Sequence, residues 1–147
     1  MPATPAITVI VPGFDVQEYA EDAVASLRAQ EFTEWSAILV DDGSTDSTGA
    51  IFDAAASADP RFTVVHHGEQ RGLSAARNTG LDAVTTRYVG FLDADDVMTP
   101  PALSRFVEAL DRTGSDLVVG AYVRLRPDGE GGYAPGAVQP WVTAATD

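Results

Sequence analysis

The chain has 147 residues, a formal net charge of -13 and no cysteine. That length corresponds to about one domain and is enough to bury a core. Nine basic residues, all Arg, against 22 acidic ones disfavour nucleic-acid or anionic-membrane binding through phosphate contacts. Without thiolates, carboxylates become the main candidate metal ligands, His66 and His67 are the only imidazoles, and zinc is disfavoured. No apolar run approaches the roughly 20 residues that span a bilayer and no signal segment opens the chain, so a soluble cytosolic protein is expected.

In chain order, Ile7 to Val11 is a β-branched run that reads as a strand stopped by Pro12-Gly13. Tyr19, Ala23, Val24 and Leu27 then recur at helical spacing up to Gln30. Ala37 to Val40 reads as a second strand. The polar turn to Ser47 offers capping side chains for a helix from Gly49 to about Ser57. Phe62 to His66 is a third strand, and Ser74 is positioned to cap a helix running to about Val84. Tyr88 to Leu92 is a fourth strand. Thr99-Pro100-Pro101 opens a further helix whose apolar stripe is Leu103, Phe106, Val107 and Leu110. Asp116 to Leu125 reads as another strand, Arg126 to Gly132 as a turn, and Gly132 to Asp147 carries no periodic pattern. Alternating short strands and helices imply right-handed crossovers and a mainly parallel sheet covered on both faces, an α/β class.

Two acidic clusters each follow a buried strand: Asp41-Asp42-Gly43-Ser44-Thr45-Asp46 and Asp93-Ala94-Asp95-Asp96. In an open α/β sheet the crevice outside the carboxyl ends of the strands is where ligands bind, so both clusters belong to one polar site. Converging carboxylates repel one another unless protonated or bridged, and a hard divalent cation carrying substrate phosphates is the usual resolution. Asp41-Asp42-Gly43-Ser44 alone serves equally well as a turn and helix cap, whereas three carboxylates within four residues exceed what a solvated turn requires. Gly72 to Asn78 lies at a helix N-terminus, which favours an anion, although Arg77 taken alone reads as a surface residue. Neither a G-x-G-x-x-G nor a G-x-x-x-x-G-K-[ST] loop is present, which weighs against dinucleotide and P-loop readings. His66 and His67, adjacent on or beside a strand, point to opposite faces and cannot together chelate one ion; they read as structural.

In order, Val9 to Pro12, Val40 to Asp46, Gly72 to Gly80 and Phe91 to Asp96 closely resemble the motifs of the family 2 glycosyltransferases of GT-A fold. The resemblance spans about residues 6 to 125. It implies a nucleotide-diphosphate sugar, a UDP sugar foremost, lying across the strand ends with its diphosphate on Mg²⁺ or Mn²⁺. By the same resemblance Pro12, Phe14 and Asp42 line the base pocket, with Asp41 the second choice if the register differs, and Arg77 meets the nucleotide. Asp93 approaches the ribose and shares the metal with Asp95, while Asp96 supports them. One departure is Phe14-Asp15, where the family usually has an aromatic residue followed by Asn; the added charge bears on donor preference.

The family inverts the anomeric centre by direct displacement, with a carboxylate base for the acceptor hydroxyl of a glycan or polyol phosphate. Asp128, Glu130 and Asp147 lie in turn-like or terminal sequence, so no catalytic base is assigned and one is expected beyond residue 147. Residues 1–125 are therefore expected to form the donor-binding domain, and residues 126–147 the irregular start of an acceptor-side region. Two readings remain. One is the donor half of an enzyme building cell-surface polymer, joined to a polymerase module of the teichoic-acid type and peripheral to the inner membrane face through other regions. The other is a non-catalytic module that holds a nucleotide or a partner domain.

Overall fold

The computed structural model describes residues 4–138. Residues up to Glu108 form one compact unit and those from Ala109 a second. The first contains β1 (Ile7–Gly13), α1 (Ala20–Arg28), β2 (Trp35–Asp41), α2 (Thr48–Ala58), β3 (Phe62–His66), α3 (Leu73–Asp82) and β4 (Tyr88–Phe91). Helix α4 (Ala102–Thr113) starts in the first unit and ends in the second. The four strands make a parallel sheet in the order β3-β2-β1-β4, the α/β arrangement the alternating pattern predicts.

Each face of the sheet is buried by a different set of side chains, because alternate residues of a strand point opposite ways. Ile7, Val9 and Val11 of β1 and Trp35, Ala37 and Leu39 of β2 pack with Val24 and Leu27 of α1, Phe52 of α2, and Leu103 and Val107 of α4. On the other face Ile10, Ile38 and Val40 meet Ala76 of α3. Thr8, buried on this second face, bonds through Oγ1 to Ser36 Oγ at 3.0 Å and Thr86 Oγ1 at 2.8 Å, so its hydroxyl is satisfied. The contribution of the apolar face is of the usual size, about 1.5–3 kcal/mol for each large side chain fully removed from water. Gln30 is buried just past α1: its Nε2 donates to Thr99 O and its Oε1 accepts the N–H of Leu103, one of the first-turn donors of α4.

Several boundaries differ from the sequence expectation. β1 runs through Pro12-Gly13 instead of stopping there, since Pro12 O and Gly13 O still accept ladder bonds from Ala94 N and Asp42 N. The N–H that Pro12 lacks would lie past Phe91, the last residue of β4 paired with β1, so only a terminal rung is lost. Gly72 at φ 96°, not Ser74, precedes α3, and Ser74 lies inside the helix. In the second unit the strand expected over residues 116–125 is confined to β5 (Val123–Pro127), which includes Arg126 and Pro127 of the expected turn. It pairs antiparallel with β6 (Tyr133–Val138), where no periodic segment is expected. Asp128 organises the hairpin turn, its Oδ1 accepting from Glu130 N and Gly132 N at 2.9 Å each. Asp147 lies outside the described residues. Among the described residues no helix is long and apolar enough to cross a membrane.

Candidate functional site

Where β1, β2 and β4 end, the loops they lead into surround a cleft of about 240 Å³. Pro12, Phe14 and Asp42 line it together with Asp93 and Asp95, and Gln70, unremarkable in the sequence, contributes a further wall. Asp41 and Arg77 are not among its lining residues. The loops are rooted in the sheet: Asp42 N and Ala94 N, on opposite sides of β1, bond to Gly13 O at 2.9 Å and Pro12 O at 3.1 Å.

The β2 cluster divides its labour. Asp41 is buried and turned into the loop, its Oδ1 accepting Ser44 N at 3.0 Å and its Oδ2 meeting His66 Nδ1 at 2.8 Å. Burial pushes its pKa up, but the hydrogen bonds from Ser44 and His66 outweigh that and hold it below the ordinary 3.8. Asp42 faces the cleft and takes three donors: His67 Nδ1 at 2.6 Å and Arg71 N at 2.9 Å on Oδ1, and Gly72 N at 2.8 Å on Oδ2. Burial again raises its pKa, and these bonds, the one from His67 foremost, more than compensate. Asp42 is therefore anionic at neutral pH. The two histidines do point to different carboxylates, and His67 extends the network through Nε2 to Thr79 Oγ1 of α3 at 2.8 Å.

Gly43 makes the approach of the two loops possible. Its φ is 74°, and a Cβ there would lie 2.6 Å from the backbone carbon of Glu69. On the β1 side, Asp15 sits at φ 48° with its carboxylate turned onto the β2 loop, Oδ1 accepting Thr45 N at 2.7 Å and Asp46 N at 3.3 Å. Ser44 Oγ accepts the N–H of Asp15 at 3.1 Å. The charge that distinguishes Asp15 from the family's Asn is thus spent on loop donors, and the same bonds fix the chain beside Phe14.

The β4 cluster is different in kind. One carboxylate oxygen from each of Asp93, Asp95 and Asp96 lies within 4.8 Å of the others. Asp96 N bonds to Asp93 O at 2.9 Å, a tight turn that brings the side chains together. Burial, then the negative charges of Asp95 and Asp93, raise the pKa of Asp96. Arg77 offsets part of the repulsion: its Nη2 donates to Asp93 Oδ1 at 2.8 Å, and its guanidinium carbon lies 5.8 Å from the Phe91 ring centre. Its Nε is buried and has no hydrogen-bond acceptor among the described residues.

Comparison with known proteins agrees with this picture. TuaG of Bacillus subtilis (strain 168), a putative teichuronic acid biosynthesis glycosyltransferase, is 34% identical over 125 residues, which is 85% of this chain and 50% of that one. The teichoic acid poly(glycerol phosphate) polymerase of Staphylococcus epidermidis is 32% identical over 108 residues, 73% of this chain but 15% of its own length. Among solved structures, S. aureus TarS 1-349 in complex with UDP-GlcNAc superposes with a TM-score of 0.70 at 29% identity, covering 75% of this chain and 32% of that one. The mannosyltransferase PcManGT of Pyrobaculum calidifontis, in complex with GDP-Man and Mn²⁺, gives 0.68 at 30% identity, covering 81% and 35%. The chain thus spans half or less of the length of these proteins, and its fold is the GT-A α/β fold. A family model for glycosyl transferase family 2 matches residues 8–136, and the chain belongs to that family.

Proposed function

We propose that this chain is the donor-binding part of an inverting glycosyltransferase, which moves a sugar from a UDP sugar to a hydroxyl of a cell-surface glycan or polyol-phosphate polymer. The observation that carries the reading is a single cleft lined by Pro12, Phe14 and Asp42 together with Asp93 and Asp95. Pro12 and the Phe14 ring offer flat apolar surface to a base. Asp42 has about four acceptor directions, three already used, and the remaining one suits an N–H on the edge of the base. Arg77 keeps Asp93 in place and brings positive charge to the nucleotide.

The carboxylates of Asp93 and Asp95, with Asp96 in support, suit Mg²⁺ or Mn²⁺: the ligand atoms are hard oxygens, all within 4.8 Å of one another. Bound there, the cation supplies charge stabilisation to the departing diphosphate. Deprotonation of the acceptor hydroxyl falls to a carboxylate outside residues 1–147, in keeping with relatives two or more times as long as the matched region. The match to a polymerase is in keeping with a covalently linked polymer-forming module.

Calorimetry with UDP, GDP and CDP, each in Mn²⁺ and in EDTA, tests the reading. UDP is expected to bind best and to depend on the metal. Equal UDP affinity in Mn²⁺ and EDTA, or no binding in either, would overturn the metal-bridged donor site.

A further inference from the structure

His67 does more than fill space between β3 and α3. Its ring is 4% exposed, as is the carboxylate it contacts. A carboxylate only accepts, so Nδ1 carries a proton toward Asp42, and Thr79 holds Nε2 from the opposite side. A buried imidazole bonded at both nitrogens has one ring orientation. The two backbone donors to Asp42, Arg71 N and Gly72 N, come from the loop into α3, the helix that also supplies Thr79.

We infer that His67, held by Thr79, is a positioning residue for base recognition: it fixes the Asp42 carboxylate in the orientation whose unused acceptor direction meets an N–H of the nucleotide base. The inference rests on Asp42 meeting the base in the donor cleft, as proposed above. His67 itself is not a lining residue of the cleft. Its hydrogen bond to the cleft lining is to Asp42, so its removal should weaken recognition of the base more than of the diphosphate.

The geometry supplies a conservative control. The amide nitrogen of Asn falls near the place of an imidazole Nδ1, so His67→Asn keeps the donor to Asp42, whereas His67→Gln reaches toward Thr79 and gives that donor up. Thr79→Val removes only the hydroxyl. Calorimetry in Mn²⁺ would measure UDP and inorganic pyrophosphate on the wild type, these three variants and Asp42→Asn, with melting temperature recorded for each. The readout is the UDP-to-pyrophosphate affinity ratio, which a general loss of structure would not move selectively. The ratio is expected to fall about tenfold in His67→Gln and in Asp42→Asn, the worth of about one hydrogen bond to a charged group, to fall less in Thr79→Val, and to recover in His67→Asn. An unchanged ratio in His67→Gln beside a fall in Asp42→Asn would overturn the role of His67 while leaving the base pocket intact. An unchanged ratio in Asp42→Asn would overturn the pocket assignment and this inference with it. Equal losses in His67→Asn and His67→Gln would also overturn it, since only the latter lacks the donor.

Discussion

At the scale of single residues, charge and shape can be separated by substitution. In the proposed cation site Asp95 would contribute its negative charge, and Asn preserves its size. Asp95→Asn is therefore expected to abolish the Mn²⁺ enhancement of UDP binding while leaving the melting temperature within about a degree or two of wild type, as exposed substitutions usually do. Retention of the full Mn²⁺ effect in calorimetry would remove Asp95 from the metal set. His66 tests another kind of contact. Its bond to Asp41, and then that to Asp53, raise its pKa above the ordinary 6.5. The stability it adds is fully present below the unfolded value and is lost as pH rises through the higher folded one. The ring is 44% exposed, so solvent screening limits the effect to about 0.5 kcal/mol. Urea denaturation should show wild type exceeding His66→Gln at about pH 5.5 and converging with it by about pH 9; a difference that grows with pH would contradict the assignment.

At the scale of elements, the packing of α3 on β1 depends on Gly80. Replacing a helical Gly by Ala usually gains about 1 kcal/mol. Here the added Cβ would lie 2.5 Å from Ile10 Cγ2 and 3.0 Å from Cγ1, in the buried layer between helix and sheet. Overpacking of that sort costs about 1–3 kcal/mol, so Gly80→Ala is expected to be destabilising on balance, by about 1 kcal/mol in denaturant titration. A rise in stability would show that α3 can step away from Ile10. The strands and helices of the first unit were readable in sequence because β-branched runs such as Ile7 to Val11 and stripes such as Leu103 and Val107 carry their burial in their spacing. Pro12-Gly13 misled because local turn chemistry competes there with ladder bonds from Asp42 and Ala94, which are distant in sequence. β6 escaped notice because Pro135 and Gly136 interrupt its pattern. The acidic clusters were readable since each sits directly after a strand. His67 and Gln70 were not, because the significance of His67 comes from a carboxylate 25 residues away and that of Gln70 from the cleft it helps wall.

At the scale of the whole molecule, the donor cleft lies within one compact unit, and transfer asks for more than a donor. Loss of a general base typically costs about 10²- to 10⁴-fold, and lost acceptor positioning adds to it. This chain, loaded with UDP sugar and Mn²⁺, is therefore expected to release sugar to water slowly and to transfer it to acceptor at least about a hundredfold more slowly than the full-length protein. Product formation by the two side by side would measure this, and comparable transfer would place the base within residues 1–147.

The strand order has a consequence for how donor choice can change. β2 and β4 flank β1, so the Asp42 and Asp95 loops are set about 10 Å apart by two inter-strand spacings, a ruler made of backbone that no side chain can lengthen. Asp42 and Asp95 share no protein partner and would couple only through the ligand they hold, and changes so separated usually add to within about 0.5 kcal/mol. The losses in UDP binding for Asp42→Asn and Asp95→Asn should therefore sum in the double variant. Selection could then retune the loops after β1 and β2 toward another nucleotide while leaving the loop after β4 untouched.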